Sequence, residues 1–257
     1  MKKLLSFELF KLRKQKSLYI CSAVLLVALF LTILLNYVIY NTFGSFIGDV
    51  MEKPGAVSSV LSAANAADFT LIVGIFIALY VCSDFSQHTI KNIYSRGFSR
   101  TEVYFSKLII CVAYTVIMYF ITLLFAFILG CAFFGFKYES GHIVALLLGQ
   151  LITCVAYSCF TFAISYMIKK NGAAIALTII APIVITLILS LIDAAIAIDG
   201  ANPDRLWASD FWLDGISSNL SRAGAGVKTI IIGCILPIAY GGIFVASGYF
   251  VDRYAEV

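Results

Sequence analysis

The sequence predicts an all-α, polytopic membrane protein with six transmembrane helices, and three observations carry that expectation. Apolar residues make up 61% of the chain and charged residues 12%, with a mean hydropathy of +0.99. A soluble domain averages about 25% charged residues. Six apolar stretches each approach the roughly 20 residues that a helix needs to cross hydrocarbon. Lys and Arg gather in alternate gaps between those stretches, and basic residues near membrane ends stay cytoplasmic.

The spans are expected at about 18–40, 57–82, 108–134, 143–167, 173–192 and 229–251, within one transmembrane domain covering 1–257. Lys2 to Lys16 precede the first span and Lys91 to Lys107 follow the second. Lys169 and Lys170 follow the fourth, and Arg253 follows the sixth. That sorting puts both termini inside. The second span is charge-free only from Phe69 to Ser83, so its helix is expected to begin earlier and to carry Asn65 and Asp68 near its outer end. Asp68 there is either an interfacial structural residue or one lining a pathway.

The connections differ in kind. Lys169-Lys170-Asn171-Gly172 reads as a tight inside turn, with Gly or Asn suited to positive φ. Gly135 to His142 is a short outside turn. The outside segment from Asp193 to Lys228 is longer: Asn202-Pro203 reads as a helix start, and Leu206, Leu213, Ile216 and Leu220 can share one face. Trp207 and Trp212 both fall in it, and Trp favours the membrane–water boundary. Short helices at the outer leaflet, broken near Gly215, are expected.

Several functions are excluded. The positive excess is sorted by side rather than spread along one face, so it does not indicate nucleic acid. It does favour anionic membrane lipids. The seven cysteines lie within or beside apolar segments without a C-x-x-C pair, which argues against a disulfide framework or zinc site. The run from Leu18 to Tyr40 is too long for a signal-peptide core. His88 and His142 both fall in loops and there is no H-E-x-x-H, so an intramembrane protease is not indicated.

The most informative stretch joins spans two and three. A helix from about Phe85 to Ser95 would place Ile90, Ile93 and Tyr94 on one side and His88, Lys91 and Asn92 on the other. Gly97 supplies a stop. Ser99-Arg100-Thr101-Glu102 matches a capping box, with Phe98 and Val103 placed as a hydrophobic staple. Such an elbow suits either force transmission to a soluble partner or a place at the headgroup surface.

Asp84, Thr89-Ile90-Lys91-Asn92, Ser99-Arg100 and Lys107 resemble the corresponding loop of type-2 ABC-exporter permeases. Asp84 stands where Glu is usual, and His88 where Gly or a basic residue is usual. The basic amphipathic start, residues 1–16, is similar to that family's interfacial elbow helix. The resemblance implies a cytoplasmic coupling helix within 84–107, a homodimer, and two copies of a separate ABC ATPase. ATP and Mg would be bound by that ATPase, with no cofactor bound by this chain, which has no phosphate-cradling G-x-x-x-x-G-K-[ST] loop. The implied ATPase-coupling residues are Asp84, Phe85, Thr89, Ile90, Lys91, Ile93, Tyr94, Arg96, Ser99, Arg100 and Glu102. Asn36, Asp68, Tyr114 and Gln150 are candidates for lining a pathway, or for ordinary helix packing.

Small permeases of this family often resemble exporters of antimicrobial or cytolytic peptides, including lantibiotic-immunity and phenol-soluble-modulin systems. The resemblance thus implies amphipathic peptide cargo and a bacterial plasma membrane. Drug, lipid or sodium efflux, and a passive six-helix binding or transport subunit, are the alternatives.

Overall fold

A computed structural model describes residues 2–47, 55–64, 67–87, 89–95, 97–136, 142–197, 207–221 and 226–254. The helices in chain order are α1 (Lys2–Lys14), α2 (Lys16–Ile47), α3 (Ala56–Ala64), α4 (Ala67–Ser86), α5 (Thr89–Ser95), α6 (Arg100–Phe134), α7 (Ile143–Ile168), α8 (Asn171–Ala197), α9 (Leu213–Leu220) and α10 (Val227–Tyr254). A 3₁₀ turn, Ala208–Phe211, precedes α9, and the described residues contain no strand. Six helices are long and apolar enough to cross a membrane, namely α2, α4, α6, α7, α8 and α10. The six-span, all-α expectation holds.

The core lies along α4 and α7, against which the others pack. Phe76, Ile77, Tyr80, Tyr104, Phe162 and Tyr166 are all almost fully buried there. Small residues set the closest approaches. A Cβ at Gly74 of α4 would lie 2.8 Å from Thr178 Cγ2 of α8, and one at Gly248 of α10 would lie 3.3 Å from Ala163 Cα of α7. By contrast α2 buries a single stripe, Cys21, Leu25, Leu29 and Ile33, at four-residue spacing. Many of its other side chains are apolar and exposed, Ile20, Val27, Leu31 and Leu35 among them, as a helix facing lipid requires.

The stretch expected as one helix from Val57 to Cys82 is helical on both sides of residues 65–66, as α3 and α4. Asn65 and Ala66 between them, and the Asp68 side chain, lie outside the described residues. Only Phe69–Ser86 has the character of a span. α3 is built from small and hydroxyl residues that close on their own backbone. The Ser58 hydroxyl accepts from Gly55 N–H at 2.7 Å, and the Ser59 hydroxyl donates to the Gly55 carbonyl at 2.9 Å. Its slimness lets it reach α6, where a Cβ at Gly130 would stand 3.0 Å from Ala56 Cα.

The helix expected from Phe85 to Ser95 is divided. α4 continues to Ser86, with Gln87 N–H donating to the Ser83 carbonyl at 3.0 Å. The Thr89 hydroxyl then reaches back to the Asp84 carbonyl, at 3.2 Å, and α5 begins. His88 lies outside the described residues. The stop at Gly97 is as expected: its φ is +85° and its N–H donates to the Tyr94 carbonyl at 3.0 Å. The capping box is also present, with Glu102 N–H on Ser99 Oγ and Ser99 N–H on Glu102 Oε2. Phe98 and Val103 meet in a cluster with Leu4, Ile93 and Tyr94.

In the turn between α7 and α8 the positive φ, +59°, falls on Lys169 and not on Asn171 or Gly172. α8 already starts at Asn171, so the left-handed residue must come earlier, directly after α7.

Opposite this basic end, residues 207–221 fold onto α7, α8 and α10. Asp193, in the last turns of α8, accepts Ala208 N–H at 2.7 Å and Ser209 N–H at 2.9 Å. Leu213, Ile216 and Leu220 share a buried face as expected; Leu206 and Asn202-Pro203 lie outside the described residues. Trp212 is buried against Phe160 and Tyr240 rather than held at a water boundary. The break expected near Gly215 falls at Trp212, and α9 runs through Gly215. Glycine is needed there because a Cβ would lie 2.0 Å from the Ser209 carbonyl oxygen of the 3₁₀ turn. Gly215→Ala should therefore cost about 1–3 kcal/mol by overpacking, read as a lowered unfolding temperature of the purified protein in detergent. An unchanged temperature would show that the turn and α9 are not in contact.

Candidate functional site

Four ionisable side chains meet where α1, α4, α5 and α6 converge. Glu8 and Lys11 come from α1, Asp84 from the last turn of α4, and Lys107 from the second turn of α6. Asp84 bonds Lys11 through one carboxylate oxygen and Lys107 through the other. Lys107 Nζ also stands 3.1 Å from Glu8 Oε1. The Tyr80 hydroxyl donates to Glu8 Oε2 at 2.5 Å, and both ammonium groups lie just over 5 Å from the centre of the Tyr80 ring. The Thr89 hydroxyl, at the first residue of α5, donates to Asp84 Oδ1 at 2.9 Å.

Glu8 and Lys107 are fully buried, Asp84 is 2% exposed and Lys11 25% exposed. Two carboxylates and two ammonium groups balance, so the cluster is neutral as a whole. Such burial is tolerated only when every charge is paired and hydrogen-bonded. α1 folds onto this site because it carries an apolar stripe (Leu4, Leu5, Leu12) interrupted by Glu8 and Lys11 on the same face. Phe7, Leu9 and Phe10 point the other way and are exposed.

α5 rests on this joint. Ile90 and Ile93 are 2% and 8% exposed, so both are packed against the chain itself rather than offered outward. Phe85 is half-buried with its ring edge-on to Tyr166 at 5.3 Å. Tyr94 is half-buried, while Ser95, Gly97, Ser99 and Arg100 are exposed and Glu102 is partly so. Arg96 and the side chain of Lys91 lie outside the described residues. The structure thus brings Asp84 and Thr89 into the ion cluster, places Ile90 and Ile93 beneath α5, and leaves Ser95 to Arg100 on the surface.

Of the pathway candidates, Asn36 borders a small cleft of about 170 Å³ with Leu29, Ile33, Ser62 and Thr122. Tyr114 and Gln150 face no open space in this conformation. Tyr114 is 4% exposed with its ring 4.0 Å from that of Phe76. Gln150 is fully buried and donates to the Leu61 carbonyl and to Ser221 Oγ, both at 3.2 Å, fastening α3 and the end of α9 to α7. Glu8 and Lys11 were missing from the expected site. An acid on the apolar stripe of an amphipathic helix, four residues from Leu4 and from Leu12, is the signal that marks them.

Removing one partner from a buried ion cluster strands the others. Lys107→Met should therefore lower stability by about 3–5 kcal/mol. Lys107→Met with Asp84→Leu should lose clearly less than the sum of the two single changes. Denaturant unfolding in mixed micelles measures both, and additive losses would show that the four charges are not coupled.

No curated protein matches the chain. The model of the ABC-2 family transporter protein matches residues 4–193, from α1 through the greater part of α8 and well over half of the 257 residues. The matched region contains the whole ion cluster, four of the six spans and the greater part of the fifth. The chain belongs to the ABC-2 transporter family, whose membrane permease domain carries no nucleotide-binding domain of its own, and it is a multi-pass membrane protein.

Proposed function

We propose that this chain is the permease subunit of an ATP-driven exporter, working as a homodimer with two copies of a separately encoded ABC ATPase. In this reading the ATPase binds ATP and Mg, and residues 84–107 receive its movement. The observation that carries the proposal is the mounting of α5. Its first residue bonds into a buried ion cluster shared by α1, α4 and α6, and its apolar side is packed under Leu4 and Val103. A push on α5 is therefore passed to three helices at once.

The roles divide accordingly. Ile90 and Ile93 hold α5 to the permease, and Asp84 with Thr89 ties it to the cluster. Ser95, Ser99 and Arg100, with the exposed edge of Tyr94, form the face offered to the ATPase. In this reading the membrane is a bacterial plasma membrane, and the sorting of basic residues supports a cytoplasmic position for this end and both termini, with α9 at the outer leaflet. The cargo we favour is an amphipathic peptide, antimicrobial or cytolytic, taken from the bilayer. Support for it is the largely apolar, exposed surface of α2 and α8, where Leu31, Leu35, Ile180 and Leu187 are each about half exposed.

Ser95→Asp with Arg100→Glu alters the exposed face and spares the buried anchors. It should leave the permease folded while reducing ATPase co-purification, and permease-stimulated ATP hydrolysis, about tenfold, the scale of 1.4 kcal/mol of lost binding. Retention of full stimulation would rule out α5 as the contact. Cysteines placed at Ser99 and at Ser218 should be labelled by a membrane-impermeant maleimide from opposite faces of sealed vesicles; labelling from one face would reject the proposed orientation.

A further inference from the structure

A cleft of about 580 Å³ opens between α4, α7, α8 and α9, at the end of the molecule away from the ion cluster. That volume lies in the range of small-molecule sites. Its walls are chiefly apolar, with Leu71, Pro182, Ile183 and Leu187 on two sides, and among the described residues Asp214 is the one charged side chain lining it. The Tyr157 hydroxyl from α7 donates to Asp214 Oδ1, and the Thr186 hydroxyl from α8 donates to Oδ2 at 2.7 Å.

The other described carboxylates away from the termini of the fold have evident structural work. Asp84 and Glu8 are paired with lysines. Asp193 holds the backbone of the 3₁₀ turn, and Asp210 accepts Trp207 N–H and the Asn219 amide. Asp214 differs. Its partners are two neutral hydroxyls, each carboxylate oxygen keeps a free lone pair, and no Lys or Arg pairs with it among the described residues. Asp214 is partly exposed in the first turn of α9, where the helix N-terminus favours an acid, and it faces the open cleft. A cationic group entering the cleft would gain a charge-assisted contact there that a neutral one would not.

We propose that this cleft binds an amphipathic monocation, with its ammonium group on Asp214 and its hydrocarbon body along Leu71, Ile183 and Leu187. The inference deepens the export reading and rests on it only for the claim that the occupant is cargo. Binding itself needs neither ATPase nor a second copy.

The test uses the full chain in phosphatidylglycerol nanodiscs, titrated by calorimetry with octylammonium and with octanol, against empty discs. Saturable octylammonium binding should appear, with octanol at least about tenfold weaker, as loss of one charge-assisted contact implies. Asp214→Asn should weaken octylammonium about tenfold while leaving octanol unchanged. Ile183→Trp, which fills the cleft from an exposed position and leaves Asp214 alone, should abolish binding of both and remains informative if Asp214→Asn does not fold. Equal binding of the cation and the alcohol, or octylammonium affinity unaffected by either substitution, would overturn the proposal. So would loss of octylammonium binding on adding phosphatidylethanolamine, which would make the cleft a lipid site. Failure here with ATPase coupling intact would sink the cation site and leave the export reading standing; binding without coupling would do the reverse.

Discussion

The buried ion cluster is the constraint on which the basic end of this molecule depends. α1 is amphipathic but short, and short helices are marginal alone in water. It is fixed because Glu8 and Lys11 complete a charge set that Asp84 and Lys107 leave unfinished. Tyr80 closes the set from below and Thr89 from the side. Without α1, Lys107 and Asp84 would face one another in an apolar surround with half their bonds missing. The cluster therefore explains why an interfacial helix is held in a defined place and why α5 starts where it does.

Much of this was legible in the sequence, for physical reasons that differ by element. Spans declare themselves by length and apolarity, so the six of them were readable. The Ser99–Glu102 box and the Gly97 stop were readable because caps are local chemistry, decided within four residues. The convergence of Glu8 with Lys107 was not, since it is decided by packing between α1 and α6, helices far apart in the chain. Charge near a membrane end reads as topology, and only packing reveals that two of those charges turn inward.

The two ends of the molecule handle acids in opposite ways. In the ion cluster each carboxylate meets a lysine, and the pairing is between helices distant in sequence. At the far end Asp193, Asp210 and Asp214 are met by backbone amides, a side-chain amide and hydroxyls. Ion pairs among rigid helices make a stiff joint. Neutral donors on short elements such as the 3₁₀ turn and α9 hold a surface whose charge is still available to a ligand.

That contrast bears on where a transport cycle could place its movement. Breaking a buried ion pair costs about 3–5 kcal/mol, comparable with the roughly 5.5 kcal/mol needed to invert a two-state equilibrium from 1:99 to 99:1. A mechanism that opened the cluster in each cycle would spend most of its driving force there. The basic ends of α1, α4, α5 and α6 are better suited to move as one piece. Relative displacement then falls to contacts without charge. α8 meets α4 through Gly74 and Thr178, carries Pro182 within its length, and leaves most of its surface unburied. Sliding α8 against α4 breaks no ion pair, yet it reshapes the cleft that Asp214 lines. A lever at one end and a changing cleft at the other are thereby linked by the single helix α4, which bears Asp84 at its end in the cluster and Leu71 in the cleft.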